Sequence, residues 1–89
     1  MLSVAEQQII EQYAVEFGAR AVWLFGSSLD ESGETRDIDL AVEGVRPELF
    51  FKFYARLAWA LPKPVDLVDL AQATSLAPLI RARGRRIYG

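Results

Sequence analysis

Three aspartates stand at the beginnings of two short apolar segments of this 89-residue sequence. Asp37 and Asp39 open the segment 37–42, and Asp66 is the second residue of the segment 65–70. In an extended strand, residues two apart lie on the same face, roughly 6–7 Å from each other. Carboxylates gathered in this way repel one another, and a divalent cation relieves the repulsion. The spacing therefore predicts a metal site formed by Asp37, Asp39 and Asp66.

The absence of cysteine and histidine from the sequence narrows the chemistry of such a site. It excludes disulfides, Cys/His zinc sites, and nucleophilic catalysis by Ser-His or Cys-His pairs. Carboxylate oxygens are ligands of hard cations such as Mg²⁺. Two metal ions about 3.5–4 Å apart, bridged by carboxylates, promote in-line phosphoryl and nucleotidyl transfer. We therefore expect a pair of Mg²⁺ ions as the cofactor.

A triphosphate substrate needs a second binding element away from the metal ions, and Gly26-Ser27 offers one. Glycine lets the backbone approach a ligand closely, and Ser27 adds a hydroxyl group and N–H groups for phosphate oxygens. Taken alone, a Gly-Ser pair is more often an ordinary turn, and Asp37 and Asp39 could be surface residues at the start of a strand. The combination of these residues with Asp66 is what indicates a nucleotide site.

Helical periodicity, N-terminal caps and glycine or proline stops predict three helices. Ser3 and Glu6 form a capping box for the first helix, and its apolar residues fall on one stripe. The predicted limits are Ser3 to Gly18, Pro47 to about Ala60, and a cap at Thr74 or Ser75 to Gly84.

Three short apolar segments, residues 21–25, 37–42 and 65–70, predict β-strands. The helix between the second and third strands implies a parallel pair with a right-handed crossover. The link between the first two strands lacks such a helix, so an antiparallel pair is expected there. The fold class is α/β (α+β), a single domain over residues 1–89 with a mixed three-stranded sheet in the order α-β-β-α-β-α. This pairing brings Gly26-Ser27 and the three aspartates to one end of the sheet.

Composition and charge limit the function classes. Hydrophobic residues make up 52% of the sequence and aromatic residues 11%, which is typical of a folded domain. The formal net charge of −2 argues against nucleic-acid binding as the main task. No signal peptide and no apolar run of the ~20 residues needed for a membrane span is visible, so a cytoplasmic protein without membrane association is expected.

Three motifs together carry a resemblance to a known superfamily. Leu24-Phe25-Gly26-Ser27 is followed after nine residues by Asp37-Ile38-Asp39-Leu40, and later by Val65-Asp66-Leu67-Val68. This arrangement resembles the DNA polymerase β-type nucleotidyltransferases. It resembles more closely the minimal nucleotidyltransferase (MNT) domains encoded beside HEPN proteins. The resemblance extends over almost the whole chain.

The resemblance implies a role for each site residue. Asp37 and Asp39 would bind both Mg²⁺ ions, and Asp66 would complete the catalytic metal site and help to activate the acceptor hydroxyl. Gly26 and Ser27 would hold the phosphates of ATP. Arg36 stands where family members commonly have serine, and it is a candidate for a compensating phosphate contact outside the family pattern. The implied partner is a HEPN toxin, and the implied reaction adenylylates one of its tyrosines. The chain would then be the antitoxin of a toxin–antitoxin pair.

The residues after Gly26-Ser27 depart from the family pattern. Members often carry arginine, arginine and glycine where this sequence has Ser28, Asp30 and Glu31. An alternative interpretation is therefore a module that neutralises a HEPN partner by contact, without catalysis. A third interpretation is transfer to a small molecule such as an aminoglycoside, which is less favoured because related enzymes of that kind carry an additional acceptor-binding domain.

Two further features leave alternatives open. Asp69 is a rival for the third carboxylate, but it has the opposite strand parity to Asp66 and is better interpreted as a surface residue. The 47–60 helix has an apolar surface too broad for one sheet face, which suggests a partner or homo-oligomer interface. Four basic residues near the C-terminus either complement a helix end or contact RNA or phosphate: Arg81, Arg83, Arg85 and Arg86.

Overall fold

The computed structural model describes residues 2–26 and 37–89, which form three helices and one four-stranded sheet. The strands lie in the order β3-β2-β1-β4. In chain order the elements are α1 (Val4–Glu16), β1 (Ala21–Leu24), β2 (Ile38–Glu43), α2 (Pro47–Ala60), β3 (Val65–Asp69), α3 (Ala77–Arg83) and β4 (Arg85–Tyr88).

The three strands predicted from the sequence pair as the connections indicate. β1 and β2 are antiparallel, with Leu24 opposite Leu40 and Ala21 opposite Glu43. β2 and β3 are parallel, and α2 is the crossover helix that a parallel pair requires. The end of β1 and the starts of β2 and β3 therefore lie at the same end of the sheet.

The predicted three-stranded sheet, in the order α-β-β-α-β-α, is wrong at the C-terminus. Arg85–Tyr88 forms a fourth strand that pairs antiparallel with the outer edge of β1, so the observed order is α-β-β-α-β-α-β. This segment carries two arginines and a single buried residue, Ile87, so it has no strand signal of its own. It becomes a strand because β1 offers an unpaired edge, and because the Arg86 guanidinium lies 5.7 Å from the centre of the Trp23 ring.

The first helix begins as the sequence predicts. Ser3 Oγ accepts a hydrogen bond from the Glu6 N–H at 3.1 Å, and Glu6 Oε1 accepts one from the Ser3 N–H at 2.8 Å. The helix ends at Glu16, and Gly18 follows with φ +71°, a left-handed conformation that glycine adopts without steric cost. The capping box is therefore confirmed.

The expected cap of α3 at Thr74 or Ser75 is wrong. The helix begins at Ala77, its N-cap residue is Leu76, and no side chain caps it. The backbone supplies the missing contacts, because the N–H groups of Leu76 and Ala77 both donate to the carbonyl of Ala73. A turn of backbone hydrogen bonds thus leads from β3 into α3.

Apolar side chains cover both faces of the sheet. On one face, α1 and α2 contribute Ile10, Phe53 and Leu57 to a core that includes Ile38 and Leu40, and all five are fully buried. On the other face, α3 contributes Ala77 and Ile80 to a smaller cluster with Ala41 and Leu70. Because Asp39 has the strand parity of Ala41, it lies on the face that α3 covers only in part.

The outer surface of α2 remains apolar and exposed, as its broad apolar pattern suggests. The exposed fraction is 77% for Phe51 and 89% for Trp59. In residues 2–26 and 37–89, no helix has the length and apolar character needed to cross a membrane. On its inner side, α2 packs on the sheet through Phe53 and Leu57, which are fully buried.

The capping box predicts a measurable effect on stability. We expect Ser3→Ala to lower the free energy of unfolding by about 0.5–2 kcal/mol, because the Glu6 N–H loses its acceptor. Urea unfolding followed by circular dichroism measures this change. Ser75→Ala is the matched control: Ser75 makes no capping contact, and the change should stay within about 0.5 kcal/mol. Equal effects of the two substitutions would contradict the assignment of the caps.

Candidate active site

Asp39 and Asp66 face each other across adjacent strands. They are register partners in the parallel β2–β3 pair, and neighbouring strands lie about 4.8 Å apart. Ile38 and Leu40, on either side of Asp39, are fully buried on the opposite face. Asp37 immediately precedes β2 and shares the parity of Asp39. The predicted convergence of the three aspartates at one end of the sheet is therefore what the strand register gives.

Gly26 lies directly against Asp39. The Phe25 N–H donates to the Asp39 carbonyl at 3.1 Å, which extends the β1–β2 pairing by one residue and places Gly26 beside the carboxylate. A methyl group built on Gly26 would lie 2.8 Å from Asp39 Oδ2, and Gly26 has φ +64°. Only glycine therefore fits both the backbone conformation and the space at this position.

Two residues that sequence analysis assigned to phosphate binding, Ser27 and Arg36, lie outside the described residues. The same holds for Ser28, Asp30 and Glu31, where the sequence departs from the family pattern. The site as described thus consists of Gly26, the three aspartates and the elements that position them.

The donor set at this site suits Mg²⁺. Within the part of the chain that the structure describes, no three carboxylates are grouped closely enough to bind one metal ion. Mg²⁺ is usually held by one or two carboxylates together with substrate phosphates and water, and not by a cage of protein ligands. Asp39 and Asp66 provide two such carboxylates from adjacent strands, with the Gly26 backbone directly against Asp39.

Asp69, the alternative candidate for the third carboxylate, differs from Asp66 in position and in hydrogen bonding. It pairs with Val42 near the opposite end of the β2–β3 pair from Asp66. Its Oδ1 accepts a hydrogen bond from the Ala71 N–H at 3.0 Å, which stabilises the turn that follows β3. The geometry therefore favours Asp66 as the site residue. A cavity of about 560 Å³ between the start of α2 and the end of β3 is lined by Asp69, but by none of the predicted site residues that the structure describes.

The contacts that hold α3 over the sheet were not predicted from the sequence. Glu43, at the end of β2, accepts a hydrogen bond from Trp23 Nε1 at 3.3 Å through Oε1. Its Oε2 lies 3.4 Å from a guanidinium nitrogen of Arg81 on α3 and 3.9 Å from one of Arg20. Asp39, Ala41 and Glu43 share one strand face, so the alternation of polar and small residues along β2 is the signal that could have predicted this anchor.

The basic C-terminal residues accordingly have structural contacts. Arg81 pairs with Glu43, and Arg86 lies over the ring of Trp23. These contacts favour the interpretation of the basic cluster as part of the fold over the interpretation as an RNA-binding surface. They also hold α3 over β2, the strand that carries Asp39, and β4 against β1.

The sequence matches one protein family over most of its length. The profile of the family "Polymerase beta, Nucleotidyltransferase" matches residues 7–89. Comparison of the sequence with curated proteins finds no significant match.

Solved structures share the fold. The toxin–antitoxin complex MntA–HepT contains a chain similar to this one with a TM-score of 0.75 and 26% identity, over 98% of this chain and 73% of that chain. A toxin–antitoxin structure with AMP-PNP gives a TM-score of 0.77 and 28% identity, over 93% and 73%. A complex of tri-AMPylated Shewanella oneidensis HEPN toxin with MNT antitoxin gives 0.64 and 29%, over 93% and 72%.

The contact between Gly26 and Asp39 can be tested with two glycine substitutions. Gly26→Ala and Gly18→Ala both place a Cβ in a left-handed conformation, which costs about 1–2 kcal/mol of stability in each case. Only Gly26→Ala also brings that Cβ onto the Asp39 carboxylate, since a Cβ on Gly18 meets nothing within 4 Å. We therefore expect Gly26→Ala alone to shift the ¹³C resonance of the Asp39 carboxyl group. An unchanged Asp39 resonance in that variant would refute the close approach.

Proposed function

Because this chain belongs to the polymerase beta nucleotidyltransferase family, we propose that it transfers AMP from ATP to a hydroxyl group of a partner protein. In this proposal the reaction depends on Mg²⁺, and the chain is the antitoxin of a HEPN/MNT toxin–antitoxin pair. The observation that carries the proposal is the strand register that sets Asp39 opposite Asp66, with Gly26 against Asp39.

Each site residue has a role in this reaction. Asp37 and Asp39 bind two Mg²⁺ ions, and Asp66 completes the site of the catalytic ion. The Gly26 backbone, the Ser27 hydroxyl and the Arg36 guanidinium bind the phosphates of ATP. When bound, Mg²⁺ supplies neutralisation of the charge on the attacking oxygen, the α-phosphate and the leaving pyrophosphate.

The acceptor hydroxyl is activated by a carboxylate. The oxygen of the acceptor hydroxyl attacks the α-phosphorus of ATP. The bond from that phosphorus to the bridging β-phosphate oxygen breaks in line with the attack. Asp66 takes up the hydroxyl proton and passes it to water, since this carboxylate is exposed at the start of β3. The products are the AMP ester of the acceptor, pyrophosphate and one proton, so atoms and charge balance.

The structural relatives support the choice of substrate and partner. Chains from toxin–antitoxin complexes superimpose on more than nine-tenths of this chain, one in a structure with AMP-PNP and one with a tri-AMPylated HEPN toxin. By analogy, the nucleotide here is ATP, and the acceptor is a tyrosine of a HEPN partner. The exposed aromatic side chains of α2, Phe51 and Trp59, offer an apolar surface for that partner or for a second copy of the chain.

A second candidate function is neutralisation of a HEPN partner by contact, without AMP transfer. The observation that favours it lies in the sequence, where Ser28, Asp30 and Glu31 replace residues that are basic or glycine in many family members. Added negative charge beside a triphosphate weakens its binding. Loss of catalysis with retention of the complex would follow.

Asp39→Asn tests the proposed activity. Removal of one metal-binding charge should lower transfer of labelled AMP to the HEPN partner by roughly 100-fold or more, because several kcal/mol of charge stabilisation are lost. Asp69→Asn is the matched control on the adjacent strand: its amide oxygen can still accept from the Ala71 N–H, and transfer should be unchanged. The assay measures label on the partner after incubation with Mg²⁺ and α-labelled ATP.

The same proteins separate the two candidate functions. Under the proposed function, the wild type labels its partner and Asp39→Asn does not, while both still form the complex on size-exclusion chromatography. Absence of labelling by the wild type, with complex formation unaffected by Asp39→Asn, would favour neutralisation by contact. Equal labelling by wild type and Asp39→Asn would refute the role of Asp39.

A further inference from the structure

A second cavity, of about 290 Å³, opens between α3 and the end of β1. Among the described residues its wall is mostly apolar. Phe25, Leu76, Leu79 and Ile80 provide the apolar side chains, and Arg83 and Gly84 provide the far side. No carboxylate in residues 2–26 or 37–89 forms an ion pair with Arg83.

This cavity adjoins the candidate active site through one residue. Gly26 is part of the cavity wall, and the same residue lies against the Asp39 carboxylate. A ligand whose phosphates occupy the site at Gly26 and Asp39 can therefore extend into the cavity without crossing another element. The continuity suggests that the cavity receives another part of the same ligand.

The chemistry of the wall suits a flat, uncharged ring system. Nucleobases stack on aromatic rings and on the planar guanidinium of arginine, and their faces pack well against aliphatic side chains. Phe25 and Arg83 supply the first kind of surface, and Leu76, Leu79 and Ile80 supply the second. The volume is at the lower limit of ligand pockets, which fits one fragment of a ligand whose remaining groups lie outside.

The exposure of two leucines supports a ligand at this position. Leu76, the residue before α3, is 45% exposed, and Leu79 within α3 is 50% exposed. The buried cluster under α3 uses Ala77 and Ile80 and does not account for these two leucines. A ring placed between them and Phe25 would remove their apolar surface from water.

We propose that this cavity binds the nucleobase of the nucleoside triphosphate, with Leu76 and Leu79, at the start of α3, as part of its apolar wall. The proposal rests on the proposed function, since it places the base of the same nucleotide whose phosphates lie at Gly26. In this proposal, the ion pair between Arg81 of α3 and Glu43 of β2 helps to position the helix that forms one wall of the base site.

The test compares two ligands that differ in the presence of a nucleoside. Calorimetry measures the binding of a non-hydrolysable ATP analogue and of inorganic tripolyphosphate, each with Mg²⁺, to the full chain. We expect Leu76→Ala and Leu79→Ala each to weaken binding of the ATP analogue about fivefold or more, because each removes apolar surface that the base would cover. Tripolyphosphate affinity should stay within about twofold of the wild type.

Two further variants control for structural effects. Val15→Ala removes an apolar side chain that is 64% exposed on α1, away from the cavity, and should leave both affinities unchanged. Leu79→Met keeps the volume and apolar character of the wall, and should restore most of the affinity for the ATP analogue. Because Leu76 and Leu79 are half exposed, their alanine variants should remain folded, which urea unfolding verifies.

The outcomes separate this proposal from the proposed function. If the wild type binds tripolyphosphate as tightly as the ATP analogue, or if the leucine variants weaken both ligands equally, the nucleotide site stands and the cavity is not a base site. If the leucine variants change neither affinity, the cavity likewise has another occupant, such as the acceptor side chain. If the wild type binds neither ligand, the proposed function fails, and the base site fails with it.

Discussion

The parallel pairing of β2 with β3 is the constraint on which the rest of this structure depends. A parallel pair cannot be closed by a tight turn, so the chain must cross over through α2, which packs Phe53 and Leu57 onto one face of the sheet. The opposite face is then left for polar residues at the strand starts. The in-register pairing sets Asp39 opposite Asp66 on that face, and a slip of one residue would turn one of the two carboxylates into the core.

The two faces of the central strand β2 have different roles. Ile38, Leu40 and Val42 are at most 1% exposed and lie in the main core. On the other face, Asp39 belongs to the candidate site, Ala41 packs under α3, and Glu43 anchors Arg81. A small residue between two carboxylates lets a helix approach the sheet without covering the site. Stability and candidate chemistry are thus separated by strand parity within six residues.

The C-terminal segment adds a second helical layer and a fourth strand to this small domain. α3 covers the middle of the sheet face that carries Asp39, and β4 occupies the edge of β1 that would otherwise expose unpaired backbone groups. Arg81 holds α3 through its ion pair with Glu43, and Arg86 holds β4 through its contact with the Trp23 ring. Trp23 and Glu43 are also joined by a hydrogen bond. The cavity beside Gly26 lies between α3 and the end of β1. A change in the contacts that hold α3 would alter this cavity without touching an aspartate.

The sequence alone determined the elements that carry their own signals. These elements depend only on residues close together in the chain: the capping box of Ser3 and Glu6, the proline at the start of α2, and the strand parity around Asp39. They could therefore be predicted from local patterns. The predicted limits of the strands differ from the observed limits by one residue. The convergence of the aspartates also followed, because two connection rules fix the direction of three strands.

Only the tertiary structure decided the remaining features. Arg85–Tyr88 is a strand because β1 pairs with it. α3 starts at Ala77 because the N–H groups of Leu76 and Ala77 donate to the backbone carbonyl of Ala73. Arg81 has a structural role because the fold places Glu43 within ion-pair distance. The cavity between Phe25 and Leu79 joins residues far apart in the chain. Local propensity and periodicity contain no information about such partners, since the free energy of these contacts arises only when distant segments meet.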